Sequence, residues 1–255
     1  MKLDILYEDN DIIVCHKAPG VSSQQERSYD PDMVSMLMNY FVKNGVKNPY
    51  VGVVHRLDKP VAGVIIYGKT KEATLALSKQ ITERKCTKKY NAILCGDVQN
   101  LTPSSNIILE DNTYTLNDYL LRDAKTNTSM VVDITDKKYS STNKEVKKSS
   151  LRFNVVKTIK LTEDSSLYKE NSPFGNVLSL VDIELLTGRH HQIRVQFSHA
   201  GFPLWGDLKY STFSKEYNQR KGVALCSYSL TITHPTTKKE MTFSVIPCNS
   251  IFGFI

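Results

Sequence analysis

A charged connector between two apolar segments constrains the fold of this 255-residue chain more than any other feature. Val and Ile dominate residues 51–54 and 61–67, which predicts two strands, and His55-Arg56-Leu57-Asp58-Lys59-Pro60 lies between them. Strands of this kind are ordinarily joined by Gly, Asn or Ser turns. Four ionisable side chains in the connector fit either functional groups held on a rigid frame or an ordinary exposed, charged loop.

Composition and charge exclude several classes of protein. The chain has 33 Lys and Arg against 26 Asp and Glu, a formal net charge of +7, which suits a polyanionic partner. Its five cysteines are odd in number and form no CxxC pair, so we expect a reducing compartment rather than disulfides or zinc. The first nine residues include acidic ones, and no run approaches about 18 apolar residues. We therefore expect a cytoplasmic protein without a membrane segment.

Local patterns predict an α+β fold with a mixed, largely antiparallel β-sheet core flanked by helices. A polar turn at 8–11 between apolar segments predicts an N-terminal hairpin. Asp30 is expected to cap a helix that begins at Pro31 and ends near 43. A second helix is predicted over 71–84 from its four-residue apolar spacing. Further strands are predicted at 90–95, 177–185, 223–232 and 241–246.

The middle of the chain, residues 97–176, gives only weak signals. Asn, Ser, Thr and Lys dominate it, and residues 136–150 form a polar, Lys-rich stretch that resembles a hairpin excursion. Nothing in it resembles a catalytic motif, and no linker marks a domain boundary. We therefore expect one domain over residues 1–255.

A short helix is predicted between Thr187, as its cap, and Gly201, as its end. Four residues are expected to share one face of it: His190, Ile193, Arg194 and Phe197. A cation on a half-apolar face needs a carboxylate partner, because a buried unpaired charge costs several kcal/mol. A carboxylate such as Asp58 beside Arg194 would stay ionised and could act as a nucleophile or general base. A purely structural ion pair fits equally well.

Two other clusters invite a functional interpretation. Four cations lie close together at Arg84, Lys85, Lys88 and Lys89, which fits phosphate binding and a solvated helix end about equally. Histidines at 190, 191 and 199 invite a metal site, but their spacing is not HExxH and no Cys or second carboxylate cluster accompanies them. We therefore expect neither a metal nor a cofactor.

Several blocks in a fixed order carry a family resemblance. His55-Arg56-Leu57-Asp58, followed by Gly63 and Lys69-Thr70, resembles the signature of the RluA family of pseudouridine synthases. Further blocks are similar to that family in the same order: 7–9, 17–20, 88–96, 187–194, 201–210 and 233–235. The resemblance spans nearly the whole chain outside 97–176. It implies the pseudouridine synthase fold with a central RNA-binding cleft.

The resemblance also implies roles for individual residues. Asp58 corresponds to the catalytic Asp, and Arg194 to the Arg that pairs with it. Tyr90 corresponds to the Tyr that stacks on the target base. Arg56 corresponds to the Arg that fills the gap left by the flipped nucleotide, and Ile193 to an apolar contact with the base.

The positions of three further basic residues in the sequence predict additional roles at the RNA site. His55 in the charged connector is expected to be structural or to face phosphate. Arg84 and Lys88 are expected to bind phosphates of the RNA near Tyr90, because flipping a base out of the stack must be offset by stacking and phosphate contacts.

The chain departs from the family in two respects. Val61-Ala62 stands where relatives usually carry Thr-Ser or a similar pair before the glycine. Many relatives also carry an N-terminal RNA-binding domain, whereas this chain is expected to be the catalytic domain only. Substrate choice is then predicted to lie within the 255 residues, with the Lys-rich region 136–160 as a hypothesis.

These observations predict a monomeric RNA pseudouridine synthase without a cofactor, acting on specific uridines in ribosomal or transfer RNA. Two rival hypotheses make different predictions. A non-catalytic RNA-binding protein on the same scaffold would keep its function after Asp58→Ala. A metal-dependent nuclease using the three histidines would be inactivated by chelators and would shorten RNA.

Overall fold

The computed structural model describes residues 3–25, 30–139, 145–164, 174–211, 222–247 and 252–253. The chain divides into two compact units, Met1–Lys89 with Cys226–Cys248 and Tyr90–Leu225 with Asn249–Ile255. The strands are β1 (Asp4–Glu8), β2 (Ile12–Lys17), β3 (Gly52–Val53), β4 (Ala62–Gly68), β5 (Thr87–Cys95), β6 (Ile107–Glu110), β7 (Thr113–Asp123), β8 (Thr128–Val131), β9 (Lys147–Lys160), β10 (Val177–Leu185), β11 (Leu225–Thr233) and β12 (Glu240–Ser244). The α-helices are α1 (Met33–Lys43), α2 (Lys71–Thr82) and α3 (Gln192–His199). The prediction of a single domain stays a prediction.

The first unit is built on a sheet in the order β1-β2-β4-β11, with β3 on β4 and β12 on β11. Most pairs are antiparallel, whereas β4 and β11 run parallel. Apolar side chains of β2, β4, α2, β11 and β12 form its core: Ile12, Val14, Val64, Ile66, Ala73, Leu77, Leu230, Ile232 and Phe243. The predicted N-terminal hairpin and the strand that follows the charged connector are confirmed.

Gly63 allows β4 and β11 to approach each other closely. Its φ is +133°, and a Cβ atom there would lie 2.2 Å from the carbonyl oxygen of Ser227. Ala62 and Gly63 are the residues of β4 that pair with β11. Val61 and Ala62 are both buried. The small residues that follow the connector therefore serve strand packing.

The start of α1 differs from the prediction. Asp32 rather than Asp30 is the N-cap, because its Oδ1 accepts a 2.9 Å hydrogen bond from the Ser35 amide. Asp30 instead forms a 2.6 Å ion pair with Lys59 of the charged connector. The second helix begins as its pattern indicates, since the Thr70 hydroxyl accepts a hydrogen bond from the Ala73 amide at 3.1 Å.

The second unit contains a sheet in the order β5-β10-β9-β7-β6, with β8 on β7. The pairs β10 with β9, β9 with β7, β7 with β6 and β7 with β8 are antiparallel. Four of these strands, β6 to β9, lie in the region that gave weak sequence signals. Asp118 on β7 shows why: it is buried, and its carboxylate accepts hydrogen bonds from Asn106 and Gln196 at 2.8 and 2.7 Å. Polar residues on the inner face obscure the alternation that reveals a strand.

Helix α3 begins later than predicted. Its N-cap is His191, whose backbone is left-handed with φ 53°, so His190 lies outside the helix. Thr187 does not cap it. The Thr187 hydroxyl donates to the Gln192 side-chain oxygen at 2.8 Å instead. Gly201, with φ +89°, follows the end of the helix as predicted.

The two units together confirm the predicted α+β class with mostly antiparallel strands and few helices. Among the described residues, no helix has the length and apolar character needed to cross a membrane.

Candidate active site

The charged connector is a folded turn in the first unit. The amide of Val61 donates to the carbonyl of Asp58 at 2.9 Å, which closes a turn across Lys59 and Pro60. Asp58 is partly buried, whereas Arg56 is exposed. The connector thus presents Arg56 to solvent and keeps Asp58 close to the protein surface.

A buried lysine lies beneath this turn. Lys17 is fully buried, and its Nζ donates to the carbonyls of Ala18, Val21 and Lys59 at 3.2, 2.7 and 3.2 Å. Burial lowers the pKa of Lys17 to about 8, and the negative charge of Asp58 partly opposes that shift. The family block at 17–20 therefore supports the connector from inside the protein.

His55 forms a hydrogen bond within this unit. Its Nε2 accepts a 3.2 Å hydrogen bond from the amide of Ile66, so Nε2 carries no proton. Burial and the nearby charge of Lys88 lower the pKa of His55 to about 3. The neutral ring ties the connector to β4.

The low pKa of His55 predicts a pH-dependent stability. Its pKa in the folded chain lies below the ordinary 6.5, so the unfolded chain takes up a proton first as pH falls. The contribution of the neutral His55 ring to the free energy of unfolding is fully present above pH 6.5 and is lost as the pH falls toward about 3. His55→Gln keeps an acceptor for the Ile66 amide without titrating. We expect urea unfolding to show a shallower loss of stability for this variant than for the wild type.

His199→Gln is the control for that experiment, because it replaces an exposed imidazole. Its stability should follow the wild-type dependence on pH. Parallel curves for the wild type and His55→Gln would contradict the assignment.

The cationic cluster before Tyr90 does not act as one patch. Arg84 is exposed with a left-handed backbone, φ 59°, and Lys85 pairs with Glu83 at 2.8 Å. Lys88 is partly buried, and burial lowers its pKa. Arg84 is therefore placed as an exposed charge at a helix end, whereas Lys88 is partly buried near His55.

The second unit holds the other predicted site residues, Tyr90, Ile193 and Arg194, all of them buried. Arg194 Nε and Nη2 donate to the two carboxylate oxygens of Asp207, each at 2.7 Å. The Tyr210 ring lies 5.2 Å from the guanidinium carbon. The ion pair is deeply buried, with side-chain exposures of 5% and 0%.

Asp207 is a residue that the sequence interpretation missed as a partner of Arg194. Its Oδ1 also accepts the amides of Lys209 and Tyr210, at 3.0 and 3.3 Å. The sequence signal that could have identified Asp207 was its position directly after Trp205 and Gly206. An acidic residue that follows a large apolar residue in a buried segment needs a partner, and both Trp205 and Asp207 are buried. The expectation that Arg194 has a carboxylate partner is confirmed in Asp207, and its pairing with Asp58 stays a prediction.

The histidines at the start of α3 are engaged in hydrogen bonds. The Nδ1 atom of His190 lies 3.0 Å from the Ser129 hydroxyl, and the Nδ1 atom of His191 lies 2.7 Å from the Tyr210 hydroxyl. The two rings stack with centroids 3.6 Å apart. These side chains are thus part of the packing around α3.

Within the described ranges, one group has ligand atoms close enough to hold a metal ion: Asp9, Asp11 and His234, within 4.8 Å of one another. The Nδ1 atom of His234 accepts the amides of Thr236 and Thr237 at 3.2 and 3.0 Å. The proton of the neutral ring therefore lies on Nε2, which donates to Asp9 at 2.8 Å. Because Nε2 has no free lone pair, the group ties two turns together and does not fit a cation.

Comparison with known proteins identifies relatives of this chain. A family model described as RNA pseudouridylate synthase matches residues 11–199, which include both Asp58 and Arg194. An uncharacterized RNA pseudouridine synthase of Aquifex aeolicus (strain VF5) is 30% identical over 254 residues, covering 95% of this chain and 69% of the relative. A ribosomal large subunit pseudouridine synthase C of Buchnera aphidicola subsp. Schizaphis graminum is 28% identical, covering 93% of this chain and 65% of the relative.

Among solved structures, human RNA pseudouridylate synthase domain containing 4 superimposes with a TM-score of 0.66 at 19% identity. The match covers 98% of this chain and 90% of that one, and it supports the fold. The sequence matches and the fold agree across both units, and the chain belongs to the RNA pseudouridylate synthase family.

Proposed function

We propose that this chain converts uridine to pseudouridine in large-subunit ribosomal RNA, with Asp58 as the catalytic carboxylate. The observation that carries the proposal is the position of Asp58 on a turn whose backbone is hydrogen-bonded to the rest of its unit. A catalytic group needs such a rigid frame, because misplacement by about 1 Å can cost about 10²-fold in rate. The name of the Buchnera aphidicola relative supports the ribosomal substrate.

The reaction is an isomerisation within the substrate. The bond between ribose and the uracil nitrogen breaks, the base turns, and a bond to a uracil carbon forms at the same ribose carbon. That uracil carbon then loses its hydrogen as a proton, and the nitrogen released from the ribose gains a proton. Asp58 either attacks the ribose or removes a ribose proton, and both routes use an ionised carboxylate. Atoms and electrons balance within the nucleotide, so the proposed chemistry calls for no cofactor.

The roles of the other residues are part of the same proposal. Arg194 is proposed as the partner of Asp58, while Tyr90 is proposed to stack on the flipped base. Ile193 contacts the base, and exposed Arg56 occupies the gap that the nucleotide leaves. The two hydrogen bonds from Arg194 to Asp207 support the proposed role of Arg194 as the partner of Asp58. They use Nε and Nη2 and orient Nη1 away from Asp207.

The exposed cations of the chain are proposed to bind the RNA backbone. Arg84 is exposed, and β9 carries further exposed cations at Lys147, Lys148, Arg152 and Lys157. Lys88 and His55, which are both partly buried, are proposed to support the site and not to bind phosphate directly. The hypothesis that 136–160 selects the RNA stays a prediction, and its residues 140–144 lie outside the described ranges.

We further infer a monomer that works in the cytoplasm. Among the described residues, four cysteines are free thiols, Cys15, Cys86, Cys95 and Cys226, which suits a reducing compartment. Sedimentation of the purified chain at several concentrations checks the monomer, and a concentration-dependent mass would contradict it.

Mapping pseudouridines in total RNA from cells with and without the gene tests the proposed function. We expect at least one site in large-subunit ribosomal RNA to disappear without the gene and to return when the gene is restored. Loss of sites in transfer RNA alone would contradict the proposed substrate. Loss of no site, in cells that contain the active protein, would contradict the proposal as a whole.

A further inference from the structure

One serine side chain satisfies both backbone polar groups of the residue before Asp58. The Ser23 hydroxyl donates to the carbonyl of Leu57 at 2.7 Å and accepts the amide of Leu57 at 3.0 Å. Ser23 is 4% exposed and Leu57 is 6% exposed, so water does not compete for these groups. Leu57 lies 34 residues after Ser23 in the chain. The Ser23 hydroxyl therefore provides both hydrogen bonds that a neighbouring strand would otherwise make to the backbone of Leu57.

The residue after Asp58 is held from the same segment. The carbonyl of Lys59 accepts the amide of Gly20 at 2.8 Å and the Nζ of Lys17 at 3.2 Å. Leu57 and Lys59, the residues on both sides of Asp58, are therefore each hydrogen-bonded to the segment 17–23, which restricts the direction in which the Asp58 side chain leaves the backbone.

Ser23 is itself held in place by the sheet. The Tyr67 hydroxyl donates to the carbonyl of Ser23 at 2.6 Å, and Tyr67 is fully buried in β4. The order of support therefore runs from β4 through Tyr67 and Ser23 to Leu57 and the adjacent Asp58.

The neighbouring serine lacks this role. Ser22 is 2% exposed, and within the described ranges its hydroxyl is buried without a hydrogen-bond partner. The hydroxyls of these two adjacent buried serines thus differ in whether they contact the connector that carries Asp58.

We propose that Ser23 is a positioning residue for the catalytic carboxylate of Asp58, acting through both backbone groups of Leu57. This inference rests on the proposed function of Asp58. Without the hydroxyl, Leu57 loses both of its hydrogen bonds inside the protein, and the connector gains freedom. The carboxylate then spends less time at the reacting ribose, whereas the surfaces that bind RNA are unchanged.

The test compares Ser23→Ala with Ser22→Ala, which removes the same atom one residue away. We expect Ser23→Ala to lower kcat by about 10-fold to 100-fold with KM and the Kd for RNA within about threefold of the wild type. Ser22→Ala should keep the wild-type kcat. Hydrogen exchange of the Leu57 amide should accelerate in Ser23→Ala and not in Ser22→Ala.

Tyr67→Phe provides a second, independent variant if Ser23→Ala does not fold. It removes the hydrogen bond to the Ser23 carbonyl and leaves the serine hydroxyl in place. We expect a smaller decrease of kcat, again without a change in KM. A folded Ser23→Ala protein with wild-type kcat would overturn the inference, as would wild-type kcat in Tyr67→Phe when only that variant folds.

Asp58→Asn, assayed in parallel, separates this inference from the function on which it rests. If Asp58→Asn is inactive and Ser23→Ala is fully active, the positioning role fails and the function stands. If Asp58→Asn keeps its activity, the proposed function fails, and the positioning role fails with it.

Discussion

Asp58→Asn is expected to abolish isomerisation and to leave RNA binding largely intact. Asn has nearly the same shape as Asp, so the turn closed by the Asp58 carbonyl and the Val61 amide should persist. It has no ionisable carboxylate, and so can neither attack the ribose nor remove a proton from it. Loss of a residue that reacts covalently lowers kcat by about 10⁴-fold or more in well-studied enzymes. Single-turnover pseudouridine formation measures the rate, and filter binding measures the RNA affinity.

Asp4→Asn is the control for this substitution. Asp4 also lies in the first unit, on β1, and its side chain is 63% exposed. Its replacement should leave the rate unchanged. Turnover in Asp58→Asn near the wild-type rate would show that another group performs the chemistry. Full cellular function of Asp58→Ala would favour a protein that binds RNA without modifying it.

Asp207→Asn is expected to lower the free energy of unfolding by about 3–5 kcal/mol, because removal of one partner from a buried ion pair leaves the other charge poorly compensated. Arg194 is 5% exposed and Asp207 is fully buried, so water cannot replace the lost carboxylate charge. Asn keeps the size of the side chain and one oxygen acceptor for the Lys209 and Tyr210 amides. The measured decrease in the free energy of unfolding should therefore reflect mainly the loss of the carboxylate charge. Urea unfolding followed by circular dichroism gives the value.

Glu184→Gln provides a matched comparison in the same unit. It removes the carboxylate from the Arg152–Glu184 pair, whose contact of 2.8 Å is close to the 2.7 Å of the buried pair but whose side chains are 49% and 35% exposed. Exposed pairs contribute about 1 kcal/mol or less, so this change should have little effect. Equal losses of stability in Asp207→Asn and Glu184→Gln would contradict the assignment of a buried, strongly coupled pair.

Activity of Asp207→Asn gives a second measurement on the same protein. Because Asp207 holds Arg194 through two parallel hydrogen bonds, its loss should let the guanidinium rotate. We expect kcat to fall in the fraction of protein that remains folded.

Elements with a strong local signal were predictable from the sequence. The strand at 177–185 lies where its alternating residues indicate, and α2 begins at Lys71, the first residue of the predicted helix. Elements whose stability depends on distant partners were not predictable from the sequence. The strands between 97 and 176 carry buried Asp118 and Ser149 on their inner faces, and those side chains are hydrogen-bonded to residues remote in sequence. A local pattern does not distinguish such a residue from one in a polar loop.

The beginning of α3 was predicted wrongly for a related reason. Thr187 has the residue type of a cap, but its hydroxyl bonds to the side chain of Gln192, and left-handed His191 precedes the first turn. Side-chain hydrogen bonds within a short segment compete with capping, and packing decides between them.

For the candidate site, the sequence by itself determined to which family the chain belongs and which residues are candidates for the chemistry. Asp58 and Arg194 lie in segments that resemble the family's motifs, and such a resemblance can be recognised because residue type and local spacing are properties of the chain alone. Only the tertiary structure decided that Asp207 pairs with Arg194 and that Ser23 holds the residue before Asp58. Those partners lie 13 and 34 residues away. Hydrogen bonds and ion pairs require atoms within about 3 Å, and only the path of the folded chain brings distant residues that close.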